Sequence, residues 1–305
     1  MFIDRRDLRW RARDAMRAAC PNAMLMTLMY LLLTDGLSLL VSLLVTDPLD
    51  EILHLYMQGL NLERAIPLAV AGVGSVGLFL SILLSVFGVV VSFGYKGWCL
   101  NAARGEQGAV SDLIGGFSMV GRILWLCIRI AVYCLFCYLA IVLPALFCTM
   151  LLCFLLGPAW GGAIGFFGTI GVFLFVVLRY AMAPYCLLDE PEMGAGWALR
   201  RSRRMMEGHV KDYFLLRLSF IGWYLLNMLA VTAVERAIIA VVGGPQLLMG
   251  WDMEAIAQIS SSTTVAVVLA LAAWPLKLWL LPYVTMTECK FYEQIKIGPS
   301  DRPPF

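Results

Sequence analysis

Histidine is nearly absent. Only His54 and His209 occur in 305 residues, and no HExxH, Walker A or Ser-His-Asp arrangement can be assembled from what surrounds them. Charge is scarce as well: Asp, Glu, Lys and Arg make up 14% of the chain, against about 25% in a soluble domain. These shortages argue against a hydrolase or a metalloenzyme. They leave no residue to be assigned a catalytic or metal-binding role, and they imply no cofactor and no nucleic-acid partner. An enzyme that acts on lipids through scattered carboxylates is the alternative they leave open.

A disulfide framework is also missing, although nine cysteines are present. Cys127, Cys134, Cys137, Cys148 and Cys153 lie in apolar sequence, and Cys20, Cys99, Cys186 and Cys289 lie at the basic ends of apolar runs. The connections expected on the outer side carry none, which suits a chain whose outward thiols would meet an oxidising compartment. Cys134-x-x-Cys137 has redox spacing but lacks polar context and partner ligands, so these thiols read as small packing residues. A cleaved signal peptide is not expected, because the first apolar run far exceeds the ~7–15 residues of an h-region and no Ala-x-Ala follows. Arg5-Arg6 is one pair in an arginine-rich segment rather than a twin-arginine signal.

What the chain has is apolar length. Apolar residues make up 61% of it and the mean hydropathy is +0.82. A spanning helix needs ~20 such residues at ~1.5 Å rise. Six runs meet that need, at about 23–45, 67–93, 123–143, 161–187, 213–233 and 263–282. The third continues past Pro144 to 156, as one kinked helix or two half-helices, and the fifth is open to extension to 242. Gly157-Pro158 marks a tight turn, and 47–66 and 243–262 are polar connections. The reading is an all-α polytopic transmembrane helix bundle with amphipathic interfacial helices, forming a single membrane domain over 1–305. Six spans put both termini on one side. Residues 1–22, Lys96, Arg104, Arg122, the arginines near 200, Lys290, Lys296 and Arg302 fall there, so the positive-inside rule makes that side cytoplasmic.

Two basic segments lie outside the spans. Residues 1–22 hold Arg5, Arg6, Arg9, Arg11, Arg13 and Arg17 around a thin stripe of Leu8, Ala12, Ala15 and Ala19. Residues 189–212 open on Asp189-Glu190-Pro191-Glu192 and continue into a basic helix. There Ala195, Leu199, Ser202, Met206 and His209 share one stripe, with Arg200, Arg204, Glu207 and Lys211 opposite and Arg201 and Arg203 on the flanks. This suits a helix on the membrane surface, with Arg200, Arg201, Arg203, Arg204 and Lys211 facing anionic lipid headgroups. Trp197 falls on the polar side and favours an ordinary solvated helix instead. Gly208 is placed to end or bend it.

The same stretch carries a resemblance. Pro191…Ala198…Ser202-Arg203…Met206…Gly208-His209…Lys211…Phe214…Leu218-Ser219-Phe220-Ile221-Gly222-Trp223 resembles the signature of the bacterial membrane family known as domain of unknown function 975. The basic N-terminal segment and Leu281-Pro282-Tyr283…Thr287…Phe291-Tyr292 fit it too. The resemblance implies a multi-spanning protein of the bacterial inner membrane. It implies no activity and no catalytic residue.

Three charges sit inside apolar runs: Asp35 in the first, Arg129 in the third and Lys277 in the sixth. A lone charge at such depth costs roughly 2.5–3.5 kcal/mol or more, so pairing of Asp35 with Lys277 or Arg129, or a wet ligand-binding cavity, is expected. The competing reading is that both cations snorkel and Asp35 is protonated or bonded to a hydroxyl. Gly72, Gly74 and Gly77, and Gly161, Gly165 and Gly168, are spaced for close helix contact or a flexible gate. Cytoplasmic segments that could lie on the membrane, centred near 12, 114 and 202, each precede a pair of spans, which reads as three copies of one unit or as a likeness of composition. Together these features favour a non-enzymatic membrane component. It would bind or pass a small amphipathic or peptide-like ligand, or partner other membrane proteins in transport or envelope assembly. A purely structural partner is the third reading.

Overall fold

The structure is a computed structural model, and it describes residues 5–41, 66–244, 259 and 262–296. Every element among them is helical, and six helical segments are long and apolar enough to cross a membrane. The chain is therefore an all-helical, multi-pass membrane protein. The first span's extension to 45, nearly all of the connections at 47–66 and 243–262, His54, and the tail beyond 296 lie outside the described residues.

Helix α1 (Arg5–Ala18) buries Leu8 and Ala12 and exposes Arg5, Arg6, Arg11 and Arg17, while Arg13 lies over the Tyr283 ring at 5.6 Å and Asp7 pairs with Arg11 at 2.7 Å one turn away. Asn22 caps the next helix, its side chain accepting from the Met24 amide at 3.1 Å. The first span is α2 (Ala23–Leu31), a π turn (Leu32–Gly36) and α3 (Leu37–Val41). The second is α4 (Ile66–Arg104), 39 residues long and closed by Gly105 at φ 86°. It runs well past the expected end near 93, because Tyr95, Trp98, Cys99, Leu100 and Ala103 are all buried there and packing replaces lipid as the apolar partner. A short pair of turns follows, α5 (Asp112–Gly115) and a 3-10 turn (Gly116–Met119). They lie so close to α4 that a Cβ on Gly94 would overlap the Leu113 carbonyl.

Helix α6 (Val120–Leu156) passes through Pro144 unbroken, so the two-half-helix alternative does not hold. Gly157 turns the chain at φ 84°, and α7 (Pro158–Leu178) starts with Pro158 in its first turn. The α6–α7 hairpin packs mainly against itself. A Cβ on Gly161 would strike the backbone of Cys153, and one on Gly165 would strike Thr149, whereas Gly168 has open space around it. Two of the three glycines thus make a close contact; the surroundings of Gly72, Gly74 and Gly77 lie outside the described side chains.

The fourth span does not run to 187 as one helix. It breaks at 179–182 and resumes as α8 (Ala183–Asp189). Pro184 cannot donate to the turn before it, and in a first turn nothing is lost. A 3-10 turn (Pro191–Met193), α9 (Gly194–Met206), α10 (Val210–Leu218), α11 (Ile221–Gly243) and α12 (Thr263–Ile295) complete the order. The central basic helix is therefore two helices: Gly208 at φ 84° ends the first, and Lys211 belongs to the second. The last span reaches Ile295 rather than 282, carried by the buried Tyr283, Met286, Cys289, Phe291 and Tyr292.

Burial concentrates at the basic end of the bundle. Trp98, Tyr185, Tyr213, Phe291 and Tyr292 are fully enclosed there, together with Cys99, Cys186 and Cys289. Away from that end α6, α7 and α11 expose two thirds or more of Phe147, Phe154, Phe167 and Leu229. Such a surface is what lipid covers, and only helices with their backbone bonds closed internally tolerate it.

Candidate functional site

The π turn is where the first span carries its charge. Asp35 lies 12 residues after Ala23, about 18 Å along the helix at ~1.5 Å per residue. A π turn inside an α-helix is rare and recurs at functional positions. From it Asp35 Oδ2 reaches Lys277 Nζ of α12 at 3.0 Å. Each side chain keeps a third or more of its surface open, 34% for Asp35 and 40% for Lys277, so the pair is not sealed in protein. A cavity of about 370 Å³ lies between the first span and α4, lined by Thr34 of the π turn but by neither Asp35 nor Lys277. Thr34, Ser38, Ser81 and Ser85 supply its hydroxyls, with Leu33 and Phe87 among its apolar walls. Ser85 donates to the Ser81 carbonyl at 2.8 Å and Thr34 to the Tyr30 carbonyl at 2.8 Å.

Arg129 is not part of this pair. Its guanidinium lies over the Trp125 ring at 5.1 Å and extends to α9, where it fills the space beside Gly196. A long cation near the basic end of a span lowers its cost in this way, by reaching the interface along an aromatic face.

Helix α9 is rotated from the expected orientation. The buried face is Ala195, Trp197, Ala198, Arg201, Ser202, Met205 and Met206. Arg201 therefore leaves the set expected to face lipid headgroups: it is 8% exposed and stacks over Trp197 at 5.1 Å. The physical reason is that α9 packs against both α6 and α8, so Trp197 and Ser202 face protein, with Ser202 donating to the Arg179 carbonyl at 2.9 Å. Arg200, Arg203, Arg204 and Lys211 are exposed.

Two polar networks escaped the sequence reading. Glu288 of α12 accepts from Tyr185 Oη at 2.9 Å and Tyr213 Oη at 3.2 Å, and pairs with Arg217 of α10. Arg217 Nε also donates to Tyr213 Oη at 3.2 Å. At the ends of the even-numbered spans, Asp189 accepts from Arg104 at 2.6 Å, Lys296 at 2.7 Å and Tyr292 at 3.0 Å, while Arg104 also reaches Glu293. The available signal was the recurrence of polar residues at the close of apolar runs, but nothing in the sequence says which of them meet. Among the described residues no group of three or more His, Cys, Asp or Glu is placed to hold a metal.

Comparison with curated proteins and with solved structures returns no match. The family described as protein of unknown function (DUF975) matches residues 1–297. That covers the basic N-terminal helix, all six membrane-crossing segments and the central arginine-rich stretch, and the chain belongs to this family.

Proposed function

We propose that this protein is a non-enzymatic component of the bacterial inner membrane, with both termini cytoplasmic, that binds or passes a small amphipathic ligand. The observation that carries the reading is the Asp35–Lys277 pair at a π turn whose Thr34 also lines a hydroxyl-bearing cavity. An ion pair is a poor way to brace a bundle, since apolar residues of similar volume often do as well. Ionisable residues inside spans mark ligand or ion pathways far more often than their cost would otherwise allow. The gathering of basic residues at one end supports the orientation.

The double cycle of Asp35→Asn and Lys277→Met tests the site. Each single variant should lower thermal stability in nanodiscs by about 1–2 kcal/mol, less than a fully lipid-buried lone charge because both side chains are partly open. The double variant should recover much of that loss yet lose the small molecules that native mass spectrometry finds with the wild type. Strictly additive losses would show the two residues uncoupled. A recovered double variant with unchanged bound molecules would reduce the pair to a brace.

Orientation has its own test, in a background where the exposed Cys20 and Cys148 are alanine. A cysteine at Gly157 should react with a membrane-impermeant maleimide in intact cells, and one at Gln107 should not. The reverse pattern inverts the topology.

A further inference from the structure

A second cavity, of about 470 Å³, opens between α6 and α9, away from the Asp35–Lys277 pair. Its walls are aromatic: Trp125 and Tyr133 from α6, with Tyr180 edge-on to Tyr133 at 4.8 Å between centroids. Three cations converge on it, Arg129 from the span and Arg200 and Arg203 from α9. The absence of a side chain at Gly196 makes the convergence possible. Arg129 occupies the place a Cβ would take, and Arg200 Nη1 lies 3.8 Å from the same point. Among the described residues none of the three has a carboxylate within ion-pair distance. Arg104 and Arg217 at this end are matched, the first by Asp189 and Glu293 and the second by Glu288. Guanidiniums held together without a counter-charge repel one another, and an anion bound among them removes that repulsion.

The cavity is more than an anion site. From Arg129 the exposed side chains Ile128, Val132 and Phe136 run one turn apart along α6, toward the middle of the span. Charge thus sits at one end of an apolar strip of helix, and a free phosphate would leave the strip unused. We infer that this cleft binds an acidic phospholipid, its phosphate held by Arg129, Arg200 and Arg203 and one acyl chain lying along Ile128, Val132 and Phe136. The inference stands apart from the Asp35–Lys277 reading, because it uses different helices and survives if that pair proves to be a brace.

The test uses the full-length protein reconstituted in nanodiscs of equimolar phosphatidylcholine and phosphatidylglycerol. After detergent extraction, retained lipid is counted by native mass spectrometry. The wild type should retain phosphatidylglycerol in preference to phosphatidylcholine. Changing Arg129, Arg200 and Arg203 together to Gln should lower that retention roughly a hundredfold, the product of three surface cations. Arg204→Gln with Lys211→Gln, which removes two exposed cations outside the cleft, should leave it within about twofold of wild type. Leu199→Trp fills the cleft with every charge kept and should also displace the lipid, so the answer does not hang on the triple variant folding. Dihexanoyl phosphatidylglycerol should compete, and inorganic phosphate at the same concentration should not. Equal loss in the Arg204/Lys211 control would replace the site with diffuse surface attraction. Equal competition by phosphate would make it a free-anion site, and retention of a peptide in place of lipid would give it a different occupant. Any of these overturns the inference.

Discussion

Replacing Glu288 by Ala is expected to lower stability by about 3–5 kcal/mol, the largest effect of any single truncation at the basic end of the bundle. The carboxylate is nearly enclosed, with its side chain 10% exposed, and it accepts from a phenol on α8 and from a phenol and a guanidinium on α10. Removing it leaves the buried Tyr185 and Tyr213 hydroxyls without this acceptor, and Tyr213 Oη keeps the bond it accepts from Arg217. Arg217 is stranded less, since half of its side chain is open. Arg217→Met should therefore cost distinctly less than Glu288→Ala. Glu288→Gln should fall between them, keeping one acceptor oxygen but presenting an amide to donors. The double variant Glu288→Ala with Arg217→Met should lose less than the sum, because the two side chains share one network. Thermal unfolding in nanodiscs measures all four. A loss below about 1 kcal/mol for Glu288→Ala would mean the phenols find other partners and the network is incidental.

Asp189→Ala is the second large effect, about 2–4 kcal/mol, and it should be visible locally as well as globally. Asp189 closes α8 and holds Arg104 at the end of α4 and Lys296 and Tyr292 at the end of α12. One carboxylate, 9% exposed in its side chain, thus ties three helix ends that are far apart in sequence. Without it the final turns of α4 and α12 lose a common partner and should exchange their amide hydrogens faster, while the middle of each span stays protected. Lys296→Gln removes one partner that is 33% exposed and should cost under about 1 kcal/mol. Unchanged exchange in the last turns of α4 after Asp189→Ala would show that apolar packing around Trp98 and Tyr292 holds these ends without help.

Much of the molecule was legible before any coordinates. The six spans follow from apolar length alone, because a backbone in lipid must close its own hydrogen bonds and a run of ~20 residues has one way to do so. Asp35 and Lys277 were legible for a related reason: a charge in hydrocarbon with no partner is too costly to be accidental, so few partners need be considered. The same logic fails at the ends of the spans. There water competes for every charge, so Arg104, Asp189, Arg217 and Glu288 each had an alternative to pairing, and neither their spacing nor their type announced a network.

Sequence by itself determined the class, the number of apolar helices long enough to cross a membrane, the gathering of basic residues at the ends of the apolar runs and the short list of charges inside those runs. Tertiary structure decided the rest. It carried α4 and α12 past their apolar limits by burying Trp98, Cys99, Phe291 and Tyr292, and it rotated α9 so that Arg201 and Trp197 turned inward. It broke the fourth span before Pro184 while leaving Pro144 inside α6, and it brought Arg129 to Arg200 and Arg203 across Gly196. The physical reason is common to all of these. Transfer into lipid depends on the composition of a segment and can be read along the chain, whereas the choice between two polar or aromatic neighbours depends on which surfaces meet, and only packing settles that.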